Sequence, residues 1–209
     1  MQIQYFGLSS FKITTKEATI ITDPFDKESG LTPPRGAADI LILAEKNNQL
    51  YNATSGISGE PFLINDPGEY DLKGVTVTGI PLKQDEGRFV TVFLIESEDI
   101  SILNLTHIRE WNIDHDDLED LGEIDILLLP VGSNSVLTPK LASQIAHDIE
   151  PKIVIPSHYE TSGLKLPNEK VEVFVKQFGG KAEEMEKLTV KKKDLVEEKT
   201  QIITLQPLR

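Results

Sequence analysis

The chain has 209 residues, 39% of them hydrophobic, enough to bury a sizeable core in one domain spanning residues 1–209. It holds no cysteine, so disulfides, thiolate metal sites, iron–sulfur clusters and cysteine nucleophiles are excluded by inventory, and any metal must use oxygen or imidazole. A formal net charge of -13 opposes nucleic acid and anionic membrane surfaces, which bind chiefly through Lys and Arg.

Met1-Gln2-Ile3-Gln4-Tyr5-Phe6 lacks the basic start and long apolar core of a signal peptide, and runs such as Ile126 to Leu129 are too short to span a bilayer. The expected compartment is the cytoplasm. The first two thirds read as strands: Ile3 to Phe6, Phe11 to Thr14, Thr19 to Thr22, Ile40 to Leu43, Pro61 to Ile64, Val75 to Ile80, Val90 to Ile95 and Ile100 to Leu105. Each is short, rich in β-branched and aromatic residues, and bounded by Gly, Pro or Asp. Leu72-Lys73-Gly74 reads as a hairpin turn, with Gly74 supplying a positive φ.

The acidic excess is densest from Glu110 to Asp125, and such a cluster reads as a solvated helix face with Asp114 as its N-cap. From there the pattern alternates. A helix is expected near Asp114 to Leu121, a strand Asp125 to Leu129, a helix Thr138 to Ile149, a strand Lys152 to Ile155, a helix Asn168 to Gln177 and a last strand Gln201 to Leu205. Thr138-Pro139 places an N-cap before proline at the first helical position. Strands followed by alternating helices imply two packed sheets with helices outside, a four-layer αββα sandwich.

The order of elements resembles the metallo-β-lactamase superfamily, in particular compact lactonase-like metal hydrolases. The resemblance rests on Phe6-Gly7-Leu8-Ser9-Ser10-Phe11, Thr22-Asp23-Pro24-Phe25, Ala38 to Leu43, Pro67-Gly68-Glu69-Tyr70, Asp125 to Gly132, Glu150 to Tyr159 and Lys187 to Leu195. It implies two divalent metals held by a His-x-His-x-Asp-His loop, a later His, a bridging Asp and a last His. Here the loop reads Glu45-Lys46-Asn47-Asn48-Gln49-Leu50, so its ligand positions are Glu45, Asn47, Gln49 and Leu50. The next histidine falls on Gln84, followed by the matching Asp85, and the bridging carboxylate falls on His107. Of that set His158 alone keeps the family's residue, and Leu8 stands where relatives often carry a further histidine.

Leucine cannot coordinate, and amide oxygens bind zinc weakly. The expectation is therefore a catalytically silent homologue with a binding, scaffolding or regulatory role, no cofactor, and assembly with itself or an active paralogue. Two other readings stay open. One is a hydrolase of a small ester, lactone or phosphoester using zinc, manganese or iron at a single site of Glu45, His107 and His158. The other is a small-molecule sensor using the vacated pocket. Asp23 is expected as a structural hydrogen-bond acceptor, and Ser9-Ser10 as a polar turn, since no Ser-His-Asp arrangement is predicted. His115 and His147 are expected at the surface, and Trp111 in core packing.

Overall fold

The computed structural model describes residues 1–45, 47–84, 87–113, 121–133, 135–195 and 199–208. The helix expected at Asp114 to Leu121, with His115, falls almost wholly outside the described residues, as does Asp85. Two sheets share a core built from alternating inward residues of both. The six-stranded sheet has the order β15-β1-β2-β3-β5-β7 and the eight-stranded one β14-β16-β13-β12-β11-β10-β9-β8. Those strands are β1 Gln2–Gly7, β2 Ser10–Thr14, β3 Thr19–Thr22, β5 Ile40–Ile42, β7 Phe62–Ile64, β8 Gly68–Leu72, β9 Val75–Lys83 and β10 Phe89–Ser97. They continue with β11 Ile100–Asn104, β12 Ile126–Pro130, β13 Ile153–Ser157, β14 Ala182–Met185, β15 Leu188–Thr189 and β16 Gln201–Leu205, while the two-residue strands β4 Gly36–Ala37 and β6 Ile57–Ser58 pair apart.

The apolar runs predicted to be covered on both faces are so: every residue of β12 and β13 is buried, in a parallel register of Ile126 opposite Ile153 through Pro130 opposite Ser157. The β8–β9 turn is tighter than glycine alone requires, because Lys73 and Gly74 both take positive φ, 50° and 68°, the geometry of a two-residue hairpin loop. Helix α1, Pro139–Ile149, begins as its sequence dictates, with the Thr138 hydroxyl accepting from the Leu141 amide. Helix α2, Val171–Phe178, starts three residues later than predicted. The cause is tertiary, because the Asn168 side chain and the Glu169 amide donate to the His158 and Gly132 carbonyls instead of opening a helix.

Both described α-helices pack over the eight-stranded sheet. Over the six-stranded sheet lies a second apolar cluster of Phe6, Leu8, Ile21, Phe25, Ala38, Leu41, Leu43 and Tyr51. Turns of 3-10 helix at Lys27–Ser29, Gln49–Tyr51 and Thr54–Gly56 occur along the segment that supplies part of this cover. Trp111 packs against the main core, as expected, and His147 stacks on Phe178, ring centroids 4.5 Å apart. No helix of the described residues is long and apolar enough to cross a membrane.

Candidate functional site

β3, β5 and β7 run parallel, as do β11, β12, β13 and β16, and the carboxyl ends of these two sets meet at one rim of the sandwich. The residues just past those strand ends turn sharply. Asp23 after β3, Thr106 after β11, Ser133 after β12 and His158 after β13 all have positive φ, between 35° and 62°, and Leu8 in the β1–β2 turn joins them at 51°. Such backbone costs about 1 kcal/mol or more per non-glycine residue and persists where surroundings over-determine it.

Here the surroundings do. Asp23 is fully buried; its Oδ1 accepts from the Ala44 amide at 2.9 Å and its Oδ2 from the Thr106 hydroxyl at 3.1 Å, tying the two sheets together. His107 lies beside it, with Nε2 3.6 Å from Asp23 Oδ1 and 3.2 Å from Ser9 Oγ. Ser9 and Asp23 thus face the same imidazole nitrogen, which rules out a nucleophilic triad, where serine and aspartate use opposite nitrogens. Ser9 is nonetheless no mere polar turn, since it is fully buried against a histidine. That correction follows from the β1–β2 bulge, which the sequence pattern does not reveal.

His158 completes the pocket. Its ring stands edge-on to that of His107, centroids 5.2 Å apart, and is fully buried. The His158 amide donates to the Leu8 carbonyl, and its carbonyl accepts from Asn168, so the backbone is held while both ring nitrogens are buried without a hydrogen-bond partner among the described residues. Burial, and then the neighbouring His107, hold this imidazole well below its ordinary range, so it is neutral at pH 7. Tyr51 roofs the pair, 4.1 Å from His107 and 5.7 Å from His158 between ring centroids. Burial and the charges of Asp23 and Glu45 push its hydroxyl far above the usual range, so it stays protonated.

The other expected positions lie apart. Glu45 does not join the histidines: its carboxylate accepts from Arg88 Nη1 and from Asn48 Nδ2, both at 2.9 Å. An ion pair with a residue 43 positions away outweighs the loop's proximity to the rim, which corrects the expected Glu45–His107–His158 set. Asn47 and Gln49 are exposed and line an outer cleft with Glu45, while Leu50 packs on the second apolar cluster. Gln84 is buried, its Oε1 accepting from the Arg109 and Glu110 amides, and so pins a loop. Tyr51, Thr106 and Arg88 carry no sequence signal of a site; position next to an altered ligand was the one available clue for Tyr51 and Thr106, and Arg88 had none.

Two facing sheets with side chains gathered at the carboxyl rim of their parallel strands define a metallo-hydrolase type of sandwich. The family model described as a β-lactamase superfamily domain matches residues 2–158, and the chain belongs to that superfamily. Its fold matches a candidate zinc-dependent hydrolase of the metallo-β-lactamase superfamily from Thermotoga maritima, at 31% identity and TM-score 0.81, over 98% of this chain and 99% of the other. The metal-dependent hydrolase YtkL of Bacillus subtilis is 26% identical over 197 residues, covering 77% of this chain and 86% of the relative. A metal-dependent hydrolase of Lysinibacillus sphaericus is 29% identical over 196 residues, with the same coverage. These relatives overturn the expectation of a catalytically silent homologue and of no cofactor. The hydrolase alternative, which placed His107 and His158 together, is the better supported of the two readings.

The family's two-metal centre does not fit these residues: Leu50 has no donor, Glu45 is engaged, and among the described residues no three His, Cys, Asp or Glu side chains form a ready cage. A single ion is chemically compatible with the imidazole of His158, whose ring nitrogens are orphaned, and with that of His107, 5.2 Å away between ring centroids, while no third His, Cys, Asp or Glu among the described residues completes a set.

Proposed function

We propose that the protein is a hydrolase of a small ester, lactone or phosphoester, working with one metal ion at the His107–His158 pocket. The observation that carries this reading is His158, a buried neutral imidazole with two unpartnered nitrogens beside a second imidazole. An unmet buried polar group costs about 1–3 kcal/mol, and ligation removes that cost. When bound, a zinc-like ion supplies a Lewis acid that polarises a carbonyl or phosphoryl oxygen. The chain's own part is positional. Asp23 fixes the Thr106 turn, and through it the segment carrying His107, while Tyr5 and Leu8 fix the His158 amide. Tyr51 excludes water from above and offers a protonated hydroxyl.

The test is elemental analysis and zinc-induced thermal stabilisation of the whole chain, beside hydrolysis of chromogenic esters, lactones and phosphodiesters. The expected result is one equivalent of metal, with binding, stabilisation and turnover all lost in His158→Ala. A protein that takes up no zinc, manganese or iron and hydrolyses none of these substrates would refute the reading.

A further inference from the structure

The side chains of the imidazole pocket are not equally deep. Ser9, Asp23 and His158 are 0% exposed, His107 3% and Tyr51 5%. Both ring nitrogens of His158 are out of reach of solvent, so neither an ion nor a substrate meets them until a covering group moves. Much of the cover is fixed. The Leu8 carbonyl accepts from the His158 amide and the Tyr5 hydroxyl, Asp23 joins Ala44 to the Thr106 turn, and Asn168 holds the His158 carbonyl. Tyr51 differs in kind: its side chain packs in the second apolar cluster, and among the described residues its ring is the one that lies against both imidazoles.

We infer that the Tyr51 side chain is a gate: its ring swings off His107 and His158 to admit an ion and a substrate, while the backbone that carries it stays in place. The gate itself is read from burial and ring contacts; what passes through it rests on the function proposed above. The segment that carries Tyr51 lies at the surface. Its preceding residues Glu45, Asn47, Asn48 and Gln49 line, with Arg88, an open cleft of about 840 Å³, so solvent stands beside the chain that bears the ring. The main chain is pinned on both sides of Tyr51, the Leu50 carbonyl accepting from the Asp26 amide at 2.9 Å and the Ala53 amide donating to the Pro24 carbonyl at 2.8 Å. A hinged lid would break those bonds, whereas rotation about the side-chain torsions breaks neither. Apolar contact holds the ring inward, and that non-directional attraction is lost and regained locally as the side chain turns.

The experiment treats the full chain, in chelator, with diethyl pyrocarbonate, which acylates neutral imidazoles, and reads each histidine by mass spectrometry. His158 is neutral at pH 7, so access decides its rate, and the exposed His147 is the internal reference. In the parent chain His158 is expected to react about tenfold more slowly than His147, because the observed rate scales with the open fraction. That rate should be nearly independent of urea below the unfolding transition, since a side-chain swing uncovers little surface. Tyr51→Ala is expected to speed His158 about tenfold with His147 unchanged, and Tyr51→Phe, which keeps the ring, to leave both at parent rates. Should Tyr51→Ala not fold, Tyr51→Leu keeps apolar contact with the cluster and is expected to speed His158 by a smaller factor. A His158 as reactive as His147 in the parent chain, a urea dependence as steep as that of global unfolding, no acceleration in a folded Tyr51→Ala or Tyr51→Leu, or acceleration in Tyr51→Phe would each overturn the inference. Zinc uptake by the metal-free chain is read separately: faster uptake in Tyr51→Ala supports the gate, and no uptake by either chain refutes the metal reading while the His158 rates still decide the gate.

Discussion

The imidazole pocket and the Arg88 cleft flank one segment, Ala44 to Tyr51, and solve opposite problems. In the pocket, Ser9, Asp23, His107, Tyr51 and His158 are all buried, and the unmet groups are neutral ring nitrogens. In the cleft, Asn47 and Gln49 are exposed and the unmet groups belong to a permanent cation. The difference teaches that the segment's altered residues are not simply vacancies. Leu50 and Tyr51 close the inner side with apolar surface, while Glu45 turns outward to an arginine.

The sharpest way to separate the two regions is Gly132→Ala. A Cβ at Gly132 would overlap the His158 carbonyl, whose backbone cannot move without losing its bonds to Leu8 and Asn168. A loss of about 3 kcal/mol in urea unfolding is expected, with the imidazole pocket disordered and the Glu45–Arg88 ion pair retained. Next, Asp23→Ala strips acceptors from the Ala44 amide and the Thr106 hydroxyl and should cost about 2–3 kcal/mol, measured the same way. Because Ala44 also lines the outer cleft with Glu45 and Arg88, this change should disturb both regions. Glu45→Gln removes a partly exposed ion pair on the cleft side, and less than about 1 kcal/mol is expected.

The smallest effect lies away from the rim, at Asp39. The Lys73 ammonium, then the Thr19 amide, lower its carboxyl below the usual carboxylate range. A depressed folded-state pKa adds stability above the unfolded-state value of about 4, and that stability is lost as pH falls through the lower folded value. Acid-unfolding curves of Asp39→Asn should therefore be slightly flatter below about pH 4 than those of the parent chain, with zinc binding unaffected.

Much of the scaffold is legible in the chain because its signals are local. Ile126 to Leu129 and Ile153 to Ile155 are continuous apolar runs, Thr138-Pro139 is a cap, and Gln201 to Leu205 is a strand with the predicted bounds. The short strands β14 and β15 were missed, since Ala182–Met185 is largely exposed and carries Glu183 and Glu184, and Leu188–Thr189 is two residues long. The meeting of His107 with His158 is readable from the family pattern. The orientation of Glu45 is not, because it depends on Arg88 in the β9–β10 hairpin of the facing sheet, and ligand counting has no access to that competition.

The left-handed residues of the rim have one more implication. Leu8, Asp23, Thr106, Ser133 and His158 bend the chain at fixed angles, and the bonds of Asp23, Leu8 and Asn168 secure those bends from protein atoms alone. An ion held as proposed would therefore find the imidazoles already stationed and spend none of its binding free energy on folding the loops that present them. Affinity at such a rim is governed by which side chains are hung on it, and the frame itself can be refitted residue by residue.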